Sequence, residues 1–130
     1  MVTDWNELVY ICSPLSAPTR AGIEANMEKA AHYAALVSKE FGCRAIAPHS
    51  FLPAYLDDHI PQEREIALEF GLSVLKIAKS IVVCGDHISS GMKGEIKKAE
   101  EWGIPVYRLI AGDLGIMLMR IEERKNPYEM

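Results

Sequence analysis

Long apolar runs, blocks of basic charge and an even set of cysteines are all missing from this 130-residue chain. Without an apolar stretch of about 20 residues, no membrane-spanning helix is expected. Acidic residues outnumber basic ones, 18 to 14, and the net charge of −4 comes with no cationic cluster. That balance excludes a surface built for a nucleic-acid polymer. The opening residues, Met1-Val2-Thr3-Asp4-Trp5, lack the basic and apolar segments of a secretion signal. Three cysteines cannot all pair. Cys12, Cys43 and Cys84 each sit in or beside an apolar run, so reduced, buried thiols and a cytoplasmic location are expected. Repeats, low-complexity tracts and composition breaks are also lacking, which leaves one domain over residues 1–130.

What the chain does have is apolar runs alternating with helical periodicity. Leu-Val-Tyr-Ile-Cys, residues 8–12, is the continuous β-prone run of a strand buried on both faces. It opens into a loop over residues 13–20 with two prolines and three hydroxyls. Ile23, Met27, Ala30, Ala34, Val37 and Phe41 then recur at helical spacing, and Gly42 is placed to end that helix. A short strand over residues 44–47 runs into an excursion, residues 48–61, of the length typical of binding loops and lids. Asp57 or Asp58, Pro61 and Glu63 signal the next helix start. Along that helix Ile66, Phe70, Val74 and Ile77 are flanked by Leu68, Leu72 and Leu75. So wide a stripe calls for burial on two sides, against the sheet and against a second copy of the chain in a homodimer or higher homo-oligomer. A strand over residues 81–84, a helix from about Gly91 to Trp102 and a strand over residues 106–110 follow. Leu114, Met117, Leu118 and Ile121 lie at helical spacing, which predicts a closing helix over residues 114–124. Trp5 and Trp102 are expected to be packing residues. The expected fold is α/β: a doubly wound, mainly parallel five-stranded sheet flanked by helices, of the Rossmann or flavodoxin-like kind.

In such sheets ligands bind beyond the carboxyl ends of the strands. The loops over residues 13–20, 48–61 and 85–91 meet there. The third leads through Ser89-Ser90-Gly91-Met92-Lys93-Gly94-Glu95 into a helix, a form that offers backbone N–H groups and a positive dipole end to an anion. Glu95 is one turn in. Counting three residues from Ser89 or Ser90 reaches Met92 or Lys93, so Glu95 is not a capping-box carboxylate. Two readings stay open. In one, Glu95 pairs with Lys97 or Lys98 on the surface; in the other it turns into the crevice and acts as a nucleophile. His49, Asp57, Asp58 and His59 follow no metal-ligand spacing, so neither a metal site nor a cofactor is expected.

Tyr10-Ile11-Cys12-Ser13-Pro14, Ala47-Pro48-His49 and Ser90-Gly91-Met92-Lys93-Gly94-Glu95 together resemble the nucleoside 2-deoxyribosyltransferase-like superfamily, most closely a DUF4406-type branch. The similarity spans roughly residues 9–107. It implies that Glu95 attacks the anomeric carbon of a nucleoside or nucleoside 5′-monophosphate, with Tyr10 beside it, and that the glycosyl group then passes to water or another base. Ser89, Ser90 and Gly91, with Ser13 and Arg20 opposite, would hold a 5′-phosphate. Pro14, His49 and Asp86 complete the substrate-binding set that the loops offer. The resemblance also implies sites completed by a neighbouring subunit. Two departures stand out: Gly71 and Lys79 occupy positions where relatives carry aspartates, and Ser13 replaces a common glycine. Asp57, Asp58, Glu65 or Glu69 would have to substitute. A nucleotide-binding module without chemistry, or a structural oligomer, is therefore the competing expectation.

Overall fold

A computed structural model describes residues 7–121; the expectations for Trp5 and for the tail beyond residue 121 lie outside them. The elements are β1 (Leu8–Cys12), α1 (Arg20–Phe41), β2 (Arg44–Ile46), α2 (Pro61–Ile77), β3 (Ser80–Val83), α3 (Ser90–Glu101), β4 (Val106–Gly112) and β5 (Gly115–Ile121). They form one five-stranded sheet in the order β2-β1-β3-β4-β5, with β5 alone antiparallel. The expected α/β fold is therefore present. The connection through α1 moves to one side of β1 and the connection through α2 returns to the other. That reversal puts the topological switch point between the carboxyl ends of β1 and β3.

Strand alternation divides the core. Tyr10 and Cys12 of β1 face the layer built with Leu75, Met92 and Ala99 of α2 and α3. Val9 and Ile11 face the opposite layer, with Ala30 and Val37 of α1. Thr19 caps α1 by accepting from the Gly22 N–H, and Gly42, at φ 62°, closes it in the left-handed conformation that a side chain resists. All three cysteines are free and buried, and burial pushes the Cys84 thiol up to about 12. No helix among the described residues is long and apolar enough to cross a membrane.

Three expectations need correction. The closing helix is absent; Gly115–Ile121 is a strand paired along β4 from Gly112↔Gly115 to Val106↔Ile121. Asp113 and Leu114 form the tight turn between the two glycines, and Gly115 has φ 117°. Along β5, exposure alternates from Gly115 to Met119, with Ile116 and Leu118 turned inward, because the free edge of β4 supplies a hydrogen-bonding partner that a helix would leave unused. Second, neither Asp57 nor Asp58 caps α2. The cap position is Ile60, with Pro61 at the first helical position, while Asp57 accepts from the His59 N–H at 2.9 Å within the preceding turn. Third, Trp102 is 39% exposed, beneath the Lys98 ammonium at 5.9 Å.

Candidate active site

Glu95 belongs to the buried face of α3. Positions 92, 95, 96 and 99 share one stripe, and Met92, Ile96 and Ala99 pack into the core beneath α2 and α3. The glutamate follows that stripe inward. Its Oε2 accepts a hydrogen bond from the Tyr10 hydroxyl, and its Oε1 faces the Cys12 thiol at 3.6 Å. Two donors from β1 thus take different oxygens of one carboxylate. The surface-pair reading fails, since Lys98 binds Glu101 at 3.4 Å instead.

Burial pushes the Glu95 carboxyl above the usual range; the nearby His49 and the bonds from Tyr10 and Cys12 pull it back. Glu95 nonetheless remains half-buried as a residue, so the carboxylate is desolvated without being sealed in. Tyr10 and Cys12 are both pushed up, first by burial and then by the charge of Glu95. Both therefore stay protonated, as neutral donors.

The α2 helix meets this pair at Gly71. A Cβ there would lie 3.1 Å from the Tyr10 hydroxyl and 3.8 Å from Glu95 Oε2. The position at which the resemblance puts an aspartate does face the pair, but the tyrosine hydroxyl fills the space. None of the proposed substitutes is in place. Asp57 is held by His59, Asp58 by Arg64 at 3.7 Å, and Glu65 and Glu69 are exposed.

The other candidates fall into three groups around the strand ends. His49 Nδ1 donates to the Ser13 carbonyl at 2.8 Å, joining the second loop to the first. Ser13 is buried, and its hydroxyl has no hydrogen-bond partner. Pro14 touches the third loop: a Cβ on Gly85, whose φ is 105°, would sit 3.0 Å from the Pro14 ring. Arg108 of β4 braces that loop by donating to the Gly85 carbonyl at 3.0 Å. At the start of α3, the Ser89 hydroxyl accepts from the Met92 N–H at 3.3 Å and the Met92 sulfur takes the Ser89 N–H, while Ser90 and Gly91 are exposed.

Arg20 lies apart. It donates to the Pro53 carbonyl at 3.1 Å and lines a cavity of about 400 Å³ with Thr19, Tyr55 and Asp57. Asp86, exposed and paired with His87 at 2.9 Å, lines a second cavity of about 520 Å³ with Ser13, Pro14, Lys29 and Tyr33. Glu95 lines neither cavity. The structure joins Glu95 to Tyr10 and gathers Ser13, Pro14 and His49 at one loop junction, but it separates Arg20 from Asp86.

The residues missed in the sequence are Cys12 and, as a contact rather than an absence, Gly71. Strand alternation two residues after Tyr10 was the available signal for Cys12.

The family model for a domain of unknown function, DUF7768, matches residues 7–109, most of the chain. The chain belongs to the DUF7768 family. No curated protein matches this DUF7768 chain. Among solved structures, its fold is similar to that of a 2-deoxyribosyltransferase from the psychrotolerant bacterium Bacillus psychrosaccharolyticus, described as a suitable biocatalyst for the industrial synthesis of antiviral and antitumoral nucleosides. The TM-score is 0.59 at 16% identity, covering 78% of the DUF7768 chain and 70% of the other. The two proteins share a fold.

Proposed function

We propose that this DUF7768 protein is an N-glycosidase or deoxyribosyltransferase that acts on a nucleoside or nucleoside 5′-monophosphate through a covalent intermediate on Glu95. The observation that carries the reading is a carboxylate on a core-facing helix position, desolvated and held by a donor on each oxygen, at the switch point of a fold shared with a 2-deoxyribosyltransferase. Kinship with the DUF4406-type branch, a cytoplasmic location and homo-oligomeric assembly belong to the same proposal.

In the first step a Glu95 oxygen bonds to the anomeric carbon as the C–N bond breaks, and that electron pair leaves with the base. The charge developing on the sugar is oxocarbenium-like, which a close carboxylate stabilises and then traps. Water or a second base attacks the same carbon and frees Glu95. Tyr10 orients the carboxylate, while Ser13, Pro14 and His49 shape the junction over it. Ser89, Ser90 and Gly91 offer the α3 N-terminus to a phosphate, and Arg20 and Asp86 flank the two ends. With glycine at position 71, the base takes its proton from solvent rather than from a carboxylic acid there.

The test is to incubate the protein with 2′-deoxynucleoside 5′-monophosphates and follow free base by chromatography. Base should appear, and Glu95→Ala and Glu95→Gln should abolish its release while the circular dichroism spectrum stays unchanged. Turnover by either variant near the wild-type rate removes Glu95 from the mechanism. A second reading, a nucleotide-binding module without chemistry, is favoured by the absence of Glu95 from both cavities and of an acid at Gly71. Thermal stabilisation by nucleotides without base release selects it.

A further inference from the structure

We infer that Cys12 is a positioning residue for Glu95: β1 sets a thiol on one carboxylate oxygen and a phenol on the other, while Gly71 of α2 keeps the space beside them clear. The inference rests on the catalytic reading of Glu95 for its consequence, and on geometry alone for the contact.

Residues 10 and 12 are one strand repeat apart, so their side chains leave the same face of β1 about 7 Å from one another. A carboxylate lying across that interval meets both, one oxygen each. With Oε2 on Tyr10 and Oε1 3.6 Å from the Cys12 sulfur, rotation about the terminal bond of Glu95 is fixed. The other two cysteines serve as a control. Cys43 and Cys84 point their sulfurs at backbone carbonyls, of Val37 and Val82, each at 3.8 Å. Cys12 is the one among the three whose thiol donates to a side chain rather than only to backbone.

The thiol also has a second acceptor, the Met92 carbonyl at 4.0 Å. Its proton therefore keeps a partner when Glu95 Oε1 turns to a new bond. A thiol is a weak donor, so it orients the carboxylate while withdrawing less electron density than a hydroxyl would. That compromise suits a nucleophile. The groups acting on Glu95 are Tyr10 and Cys12 from β1 and His49 from the turn after β2; α2 presents the backbone of Gly71.

The experiment is a direct titration of Glu95 in the whole protein, from the carboxyl-carbon NMR signal of 13C-glutamate-labelled samples, assigned with Glu95→Gln. Cys12→Ala should move the Glu95 midpoint up by roughly half a unit, the scale of one weak hydrogen bond to the charged form. Cys12→Ser, with a stronger donor of similar size, should move it down. Where base release is measurable, its acidic limb should shift in parallel while KM stays within about twofold. An unchanged Glu95 midpoint in both variants overturns the inference, whatever the activity. A shifted midpoint in a protein that frees no base from any nucleotide upholds the contact and removes the glycosyl-transfer reading. Base release with an unmoved midpoint does the reverse.

Discussion

Glu95 occupies a place that helical periodicity reserves for an apolar side chain, and this explains both its chemistry and its cost. The sequence made part of this legible, because Met92, Ile96 and Ala99 define the stripe and cap spacing rules out the ordinary role. Tyr10 was expected beside Glu95 through the family resemblance alone, and Cys12 was not expected there, since the approach of both depends on how closely α3 lies over β1. The cost is measurable. The folded carboxyl is raised above its unfolded value, so Glu95 favours the folded state at low pH and opposes it as pH rises through the folded value. Relative to wild type, Glu95→Gln should therefore gain stability as pH rises from the acid range to neutrality, read as a growing difference in Tm. Scanning calorimetry across that range checks this, and a glutamine variant that gains nothing on wild type as pH rises contradicts it. Gly71 gives a companion expectation. Gly71→Asp puts a side chain where the Tyr10 hydroxyl already lies and a second charge beside Glu95. It should lose about 1–3 kcal/mol in urea unfolding and gain no activity.

Elements were read best where two signals agreed. Strand composition and loop placement gave β1, β2, β3 and β4, and Gly42 and Pro61 bound their helices at the expected residues. The terminal segment failed because Leu114, Met117, Leu118 and Ile121 fit a helical face, while Ile116 and Leu118 fit alternation equally well. Periodicity over eight residues does not separate the two. The deciding features were the glycines at 112 and 115 and an open β4 edge, and the second of these is tertiary. The two assignments predict opposite mutational outcomes. On a packed closing helix, Leu114→Asp would destabilise and Gly115→Ala would stabilise. In the hairpin, Leu114 is fully exposed and Gly115 holds a positive φ. Leu114→Asp should change stability by less than about 0.5 kcal/mol, and Gly115→Ala should cost at least about 1 kcal/mol, both by chemical denaturation.

At the scale of the whole molecule, α2 has two working faces. Its inner face touches the candidate site through Gly71 and packs Leu75 into the core. Its outer face exposes Ile66, Phe70 and Ile77, which are 54%, 40% and 68% exposed and lie at i, i+4 and i+11 along one stripe. Single exposed apolar residues are common, whereas three on one helical face, interrupted only by Ser73, form a surface that a partner could cover. The partner proposed here is a second copy, through a two-fold contact in which the stripe meets itself. Net charge is small enough, at −4, not to oppose such pairing. Ile66→Glu combined with Ile77→Glu should leave the circular dichroism spectrum unchanged, because neither side chain is buried in the protomer. It should halve the mass seen by light scattering at micromolar concentrations. Because Gly71 sits on the same helix as the stripe, freeing the outer face should also loosen the contact of α2 with Tyr10 and weaken any nucleotide-induced rise in Tm. Wild-type protein with the mass of one chain at tens of micromolar removes the second copy from the proposal, and leaves Glu95 and its two donors to be judged within a single protomer.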